Sequence, residues 1–185
     1  MKKRVFIIHG WGGGPEGVCL PWLKKKLEEK NFEVFAPQMP NTDEPTISEW
    51  VGYLAKIVGT PNEQTYFIGH SIGCQTIMRY LQTIDQKIGG AVFIAGWVFL
   101  ENLEIDEIPI AAPWVENNID FEKLRKISEN YVEIISDNDH FGGFEKNRTT
   151  FSEKLGAKII ILNNAGHILD TKLPIALEEL LRISK

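Results

Sequence analysis

Residues 65–74 read TYFIGHSIGC, and this stretch decides the fold. Residues 65–68 form a short aromatic and β-branched run typical of a buried strand, and the amphipathic stretch 72–84 predicts a helix. Between them, Gly69-x-Ser71-x-Gly73 matches a sharp strand-to-helix turn that projects a serine hydroxyl above the carboxyl end of the strand. We therefore interpret Ser71 as a candidate nucleophile.

Strand-like and helix-like segments alternate along the rest of the chain. The predicted strands are residues 4–9, 33–36, 65–68, 91–95, 131–136 and 158–162. The predicted helices are residues 17–30, 47–58, 72–84, 121–129, 143–155 and 174–183. Several strands are continuously apolar, as in parallel sheets covered by helices on both faces. Pro174 suits a first helical turn, and Thr46 with Glu49 predicts a capping box. The pattern predicts an α/β fold.

Length and composition indicate one soluble globular domain over residues 1–185. Hydrophobic residues make up 43% and charged residues 24%, and no linker divides the chain. The net charge of −5 disfavours nucleic acid as a partner. No stretch approaches the roughly 18 apolar residues of a membrane span. With no export signal and only two separated cysteines, Cys19 and Cys74, we expect a cytoplasmic protein without disulfides.

Residues 97–120 interrupt the alternation. The segment is rich in apolar residues but contains Pro109 and Pro113, and it is too long for a plain connection. It predicts either a short lid or an irregular loop that covers the edge of the sheet, and both interpretations stay open.

A glycine-rich loop, residues 9–14 (HGWGGG), follows the first strand. In a serine-dependent site this loop contributes one backbone N–H to an oxyanion hole, so we assign the hole to the amides of Trp11 and Ile72. The competing interpretation is a phosphate-binding loop. It is weaker, because no Gly-Lys-Ser/Thr ending and no G-x-G-x-x-G spacing is present.

A serine needs a base, and four histidines are available. His9 belongs to the glycine loop and His70 adjoins Ser71, so both are interpreted as structural. His167 follows the last strand, where a loop histidine can reach the serine, and it is the predicted base. The orienting carboxylate is expected after the penultimate strand, where Asp139 is preferred over Asp137 because it lies further past the strand end.

Together these residues resemble the α/β-hydrolase superfamily, and in particular the retinoblastoma-binding-protein-9-type serine hydrolases with their YdeN-like bacterial members. The motifs that carry the resemblance span nearly the whole chain and are His9-Gly10 with the triple glycine, the Ser71 turn, Met39-Pro40, Pro113-Trp114, Asp139-His140-Phe141 and Gly166-His167. The resemblance implies a minimal six-stranded sheet in the order 2-1-3-4-5-6. It also implies esterase-type activity.

The sequence therefore predicts hydrolysis of a small carboxylic ester, or of a thioester or activated amide, through an acyl-serine. No cofactor and no metal is expected. Trp97, Phe99, Trp114 and Phe141 are candidates for an acyl pocket, although such aromatic residues are more often core. Two alternatives stay open. One is a protein-interaction module that kept the fold but lost catalysis, and the other is transfer of the acyl group to an acceptor other than water.

Overall fold

Six parallel strands form a single sheet in the order β2-β1-β3-β4-β5-β6. The structure, a computed structural model, describes residues 2–185, and Met1 of the predicted domain lies outside them. The strands are β1 Arg4–Ile8, β2 Glu33–Phe35, β3 Thr65–His70, β4 Gly90–Ile94, β5 Tyr131–Ser136 and β6 Lys158–Leu162. The predicted α/β class and strand order are confirmed.

Seven α-helices occur among residues 2–185. They are α1 Leu20–Glu28, α2 Ile47–Val58, α3 Ile72–Leu81, α4 Ile108–Glu116, α5 Phe121–Ile127, α6 Phe144–Thr149 and α7 Pro174–Ile183. A π-helical turn, Thr150–Leu155, continues α6. As predicted, Thr46 Oγ1 caps α2 by accepting from the Glu49 N–H, and Pro174 begins α7.

Helix α4 is absent from the predicted helices and lies inside the segment 97–120. Pro109 occupies its first turn, where a missing N–H costs nothing, whereas Pro113 stands inside the helix. The two prolines concealed the helix in the sequence. The segment is therefore neither wholly irregular nor a plain loop.

Both faces of the four inner strands β1, β3, β4 and β5 are buried, whereas the edge strands β2 and β6 are partly exposed. Along β1, Val5 and Ile7 pack into a core with α1 and α7, whereas Phe6 and Ile8 pack into a second core with α2 and α3. The chain leaves β1 for β2 on one side and returns to β3 on the other, so β1 and β3 are neighbours at a topological switch point. Sites in open α/β sheets form at the carboxyl ends of strands beside such a point.

None of the helices among residues 2–185 has the length and apolar character that crossing a bilayer requires.

Candidate active site

Ser71 lies in the tight turn that joins β3 to α3. Its φ of 53° and ψ of −123° fall in a strained region for a residue with a side chain. The flanking glycines are sterically required, because a Cβ on Gly69 would lie 2.7 Å from the Cys74 nitrogen and a Cβ on Gly73 would lie 2.3 Å from the Ile8 carbonyl oxygen. The G-x-S-x-G spacing therefore follows from close backbone packing, and the serine stands at the amino end of α3.

His167 lies in the loop after β6, and its ring is oriented by Asp139. Asp139 Oδ2 accepts a hydrogen bond of 2.6 Å from His167 Nδ1, and both side chains are largely buried. A carboxylate at Nδ1 fixes the hydrogen there and leaves Nε2 as the free base. The second oxygen, Oδ1, accepts from the Phe141 N–H at 3.1 Å, which fixes the carboxylate itself.

The cavity of the candidate site has a volume of about 440 Å³ and brings the β1, β3 and β6 loops together. Its lining residues are His9, Gly10, Trp11, Gly12, Gly13, Gly14, Gly17, Val18, Leu20, His70, Ser71, Glu107, Phe141, His167 and Leu169. Ser71 and His167 thus share one cavity at the carboxyl edge of the sheet.

The glycine loop presents its backbone toward Ser71. A Cβ on Gly10 would lie only 3.4 Å from the Ser71 Cβ, so glycine allows the close approach. Among residues 2–185, the backbone N–H groups of Trp11 and Ile72 have no hydrogen-bond acceptor. The Trp11 side chain is fixed elsewhere, because its Nε1–H donates to the Asp43 carbonyl at 2.8 Å. Both predicted oxyanion donors are therefore unengaged.

The other two buried histidines, His9 and His70, have structural partners. His9 Nδ1 donates to the Gly10 carbonyl at 2.7 Å, and its Nε2 accepts from the Met39 N–H at 3.0 Å. His70 Nε2 donates to the His167 carbonyl at 3.2 Å and so connects the serine turn to the histidine loop. Burial lowers the pKa of His9, and burial followed by the charge of His167 lowers the pKa of His70 to about 4. Both rings are neutral at pH 7.

The structure separates the four aromatic residues predicted for an acyl pocket, and their role in such a pocket stays a prediction. Only Phe141 lines the cavity, with its ring centroid 5.0 Å from that of His167. Trp97 and Trp114 are buried in the core, where Trp114 Nε1 donates to the Pro45 carbonyl. Phe99 lies in a separate groove under the Lys146 ammonium. Residue type alone does not distinguish a core or groove aromatic from a pocket aromatic.

Sequence reasoning missed the other apolar wall and the one acidic residue of the cavity. Val18, Leu20 and Leu169 belong to loops or helix ends near the glycine loop and the His167 loop, and Glu107 comes from the segment 97–120. Val18 and Ile168 have positive φ angles of 43° and 52°, which mark tight loops that no sequence periodicity reveals.

The segment 97–120 is fastened to α3, the helix that follows Ser71. Gln75 Nε2 donates to the Trp97 carbonyl at 2.6 Å. The buried Arg79 donates to the carbonyls of Trp114 and Asn117 at the end of α4, at 2.6 and 2.8 Å. Carbonyls at a helix C-terminus suit a cation. The segment is therefore tied to α3 by hydrogen bonds and contributes Glu107 to the cavity lining.

The two cysteines are poor candidates for the nucleophile. Cys19 and Cys74 are free and fully buried. Burial raises the pKa of Cys19 to about 12 and the pKa of Cys74 well above its usual value, so neither forms a reactive thiolate at pH 7. Among residues 2–185, no group of three or more His, Cys, Asp or Glu side chains has an arrangement that could hold a metal ion.

The sheet order, with helices on both faces and a serine at the turn after β3, defines an α/β-hydrolase fold. Comparison with known proteins agrees. The crystal structure of the Bacillus subtilis ydeN gene product superposes with a TM-score of 0.89 at 26% identity, covering 98% of each chain.

The chain belongs to the serine hydrolase family, whose model matches residues 5–173. The hydrolase YdeN of Bacillus subtilis (strain 168) is 26% identical over 97% of this chain and 95% of its own length. Serine hydrolase RBBP9 of Rattus norvegicus is 25% identical over 96% of this chain and 86% of its own length. The predicted resemblance is confirmed at the level of the family.

Proposed function

We propose that this protein hydrolyses small carboxylic esters through an acyl-serine intermediate, with Ser71 as nucleophile, His167 as general base and Asp139 as the orienting carboxylate. The observation that carries the proposal is the 2.6 Å hydrogen bond from His167 Nδ1 to Asp139 Oδ2, at the wall of a cavity that Ser71 also lines. Membership of the serine hydrolase family supports it.

In the acylation half-reaction, Ser71 Oγ attacks the ester carbonyl carbon while His167 Nε2 removes the hydroxyl proton. The new imidazolium is stabilised by the Asp139 carboxylate at Nδ1. The tetrahedral intermediate then expels the alkoxide, which takes the proton from His167 Nε2 and leaves as the alcohol. The acyl group is left on Ser71 Oγ as an ester.

In the deacylation half-reaction, water replaces the departed alcohol. His167 Nε2 removes a proton from the water as its oxygen attacks the acyl carbon. The carboxylic acid leaves when Ser71 Oγ recovers the proton from His167. Each cycle consumes one ester and one water and releases one alcohol and one acid, without a cofactor.

The negative charge of each tetrahedral intermediate needs hydrogen-bond donors. The unengaged N–H groups of Trp11 and Ile72 support this assignment, since both belong to loops that line the cavity or adjoin Ser71. Ile72 also begins α3, whose amino end favours negative charge. One such donor is typically worth about 3 kcal/mol.

The cavity volume of about 440 Å³ and its apolar wall support small ester substrates. Thioesters and activated amides would react by the same steps, because their carbonyl carbon accepts the same attack. Acyl transfer to another acceptor shares the first half-reaction and differs only in the second nucleophile.

The test is ester hydrolysis by purified protein, measured with p-nitrophenyl acetate. Ser71→Ala and His167→Ala should each reduce kcat by about 10⁴-fold or more, since removal of either residue disables the same unit. Ser48→Ala is the matched control, because Ser48 is an exposed serine remote from the cavity lining. A Ser71→Ala protein that keeps the native rate contradicts the proposal.

A further inference from the structure

Apart from three histidines, Glu107 is the only acidic or basic residue that lines the cavity. The remaining lining residues are glycines, apolar side chains, Ser71 and three histidines. Of those histidines, His9 and His70 are neutral because burial lowers the pKa of each. His167 is the proposed base and acts in its neutral form. The cavity is therefore an apolar space with a single carboxylate.

No cation of the described chain neutralises Glu107. Among residues 2–185, no lysine, arginine or histidine forms an ion pair with Glu107. Its Oε2 accepts a hydrogen bond of 2.8 Å from the Glu104 N–H, which holds the side chain in place. The residue directly precedes α4, and that helix is fastened through Arg79 to α3. The carboxylate is thus hydrogen-bonded within its own turn, stands before a helix that is tied to α3, and has no ion-pair partner among residues 2–185.

We propose that Glu107 forms a charge-selective subsite of the cavity, which favours esters with an ammonium group on the acyl chain or alcohol and disfavours esters with a carboxylate there. This inference rests on the proposed function and specifies its substrate class. A carboxylate in a partly apolar cavity acts through a lower effective dielectric than water provides. It attracts a cationic substrate and repels an anionic one. The specificity is the difference between the binding free energies of the two substrates.

Three p-nitrophenyl esters of equal chain length measure this selectivity. Their acyl chains end in trimethylammonium, in the uncharged tert-butyl isostere and in carboxylate. For native protein, kcat/KM should be higher for the cationic ester than for the anionic ester. Glu107→Gln should reduce the ratio of these two kcat/KM values by about tenfold. Raising the ionic strength should reduce the native ratio and leave the variant ratio nearly constant, because salt screens charge interactions.

Asp106→Asn is the matched control, since it removes one charge from the same turn at an exposed residue outside the cavity lining. It should leave the cationic-to-anionic ratio close to the native value. An equal drop in both variants would mean that general surface charge sets the preference. That result, or an unchanged ratio in Glu107→Gln, overturns the subsite.

Binding of the intact esters to Ser71→Ala protein separates the subsite from the hydrolysis. Calorimetry should give tighter binding of the cationic ester than of the anionic one, and adding Glu107→Gln should remove most of that difference. Charge-selective binding without hydrolysis by native protein refutes the proposed function and keeps the subsite. Hydrolysis without charge-selective binding refutes the subsite alone.

Discussion

Three consecutive polar residues after β5 have three different partners in the His167 loop. Asp137 Oδ1 accepts from the Asn164 N–H and Asn138 Oδ1 accepts from the Gly166 N–H, each at 2.8 Å. Asp139 instead binds the ring of His167. The first two residues therefore shape the loop backbone, whereas the third orients the imidazole. Residue type alone could not separate the two aspartates, because the distinction depends on where the loop after β6 folds back.

This division of roles predicts different kinetics for two identical substitutions. Asp139→Asn should lower kcat for ester hydrolysis by about 10⁴-fold, because an amide in place of the carboxylate no longer holds the required tautomer or stabilises the imidazolium. Asp137→Asn should change kcat only a few-fold and cost about 1 kcal/mol of unfolding free energy, since it weakens one backbone hydrogen bond. A larger kcat loss in Asp137→Asn would reverse the assignment.

Burial of the His70 ring should make the protein less stable in acid. Its pKa is about 4 in the folded protein, below the usual 6.5, so the unfolded chain binds a proton first as the pH falls. Stability is full above pH 6.5 and declines toward pH 4, by roughly 3 kcal/mol for a shift of this size. His70→Gln should flatten this decline in urea unfolding. His140→Gln, at an exposed histidine, is the control, and equal flattening in both variants would contradict the account.

At the scale of elements, the strands were the most predictable features because buried parallel strands leave long apolar runs in the sequence. All six predicted strands agree with the structure to within about two residues at each end, and the helix after Ser71 begins where the turn requires. Helix α4 was not predictable in this way. Its two prolines read as breakers, and its position depends on tertiary contacts to Arg79 and Pro45.

Removing the Arg79 side chain should destabilise α4, because Arg79 donates hydrogen bonds to the end of this helix. Arg79 is 3% exposed, its guanidinium donates to the carbonyls at the end of α4, and its pKa, which burial lowers to about 10, keeps it charged at pH 7. Arg79→Met should cost about 2 kcal/mol or more of unfolding free energy. Amide hydrogen exchange in residues 108–117 should accelerate, whereas the control Arg148→Met, at a half-buried arginine of α6, should leave it unchanged. Native exchange in Arg79→Met would contradict the anchoring role.

Strand β5 carries a buried carboxyl group, that of Glu133. It should destabilise the fold as the pH rises, whereas His70 destabilises the fold as the pH falls. Glu133 Oε1 accepts from the Gly96 N–H at 2.9 Å, Oε2 has no partner among residues 2–185, and burial raises its pKa well above the usual value. The folded state therefore keeps the proton that the unfolded state loses above pH 4.5, so stability falls as the pH rises.

Glu133→Gln removes this titration and keeps an oxygen acceptor for Gly96. The unfolding free energy of native protein minus that of the variant should decrease between about pH 5 and pH 8 in urea titrations. Glu63→Gln, the same change at an exposed residue, should give a constant difference. A constant difference for Glu133→Gln as well would show that the carboxyl group is ionised in the fold.

At the scale of the whole molecule, one edge of the sheet gathers every candidate catalytic group. The glycine loop, Ser71, Asp139 and His167 follow β1, β3, β5 and β6, which are four strands far apart in sequence. Parallel strands end at the same edge, which places these loops along it, and the hydrogen bond from His70 to the His167 carbonyl joins the β6 loop to the β3 turn. The pocket walls did not follow from this rule, because loop conformations and Glu107 of the segment 97–120 form them. The cytoplasmic location and the absence of a nucleic-acid partner stay predictions.

In the proposed mechanism, the β3 turn, the β6 loop and the β5 loop together activate one serine hydroxyl, that of Ser71. The most direct measurement is labelling with a fluorophosphonate probe, followed by mass mapping of the modified peptide. We expect one adduct per chain, on Ser71. Labelling should be lost in Ser71→Ala and should be much slower in His167→Ala. An adduct on another residue, or no adduct on folded native protein, would contradict this mechanism.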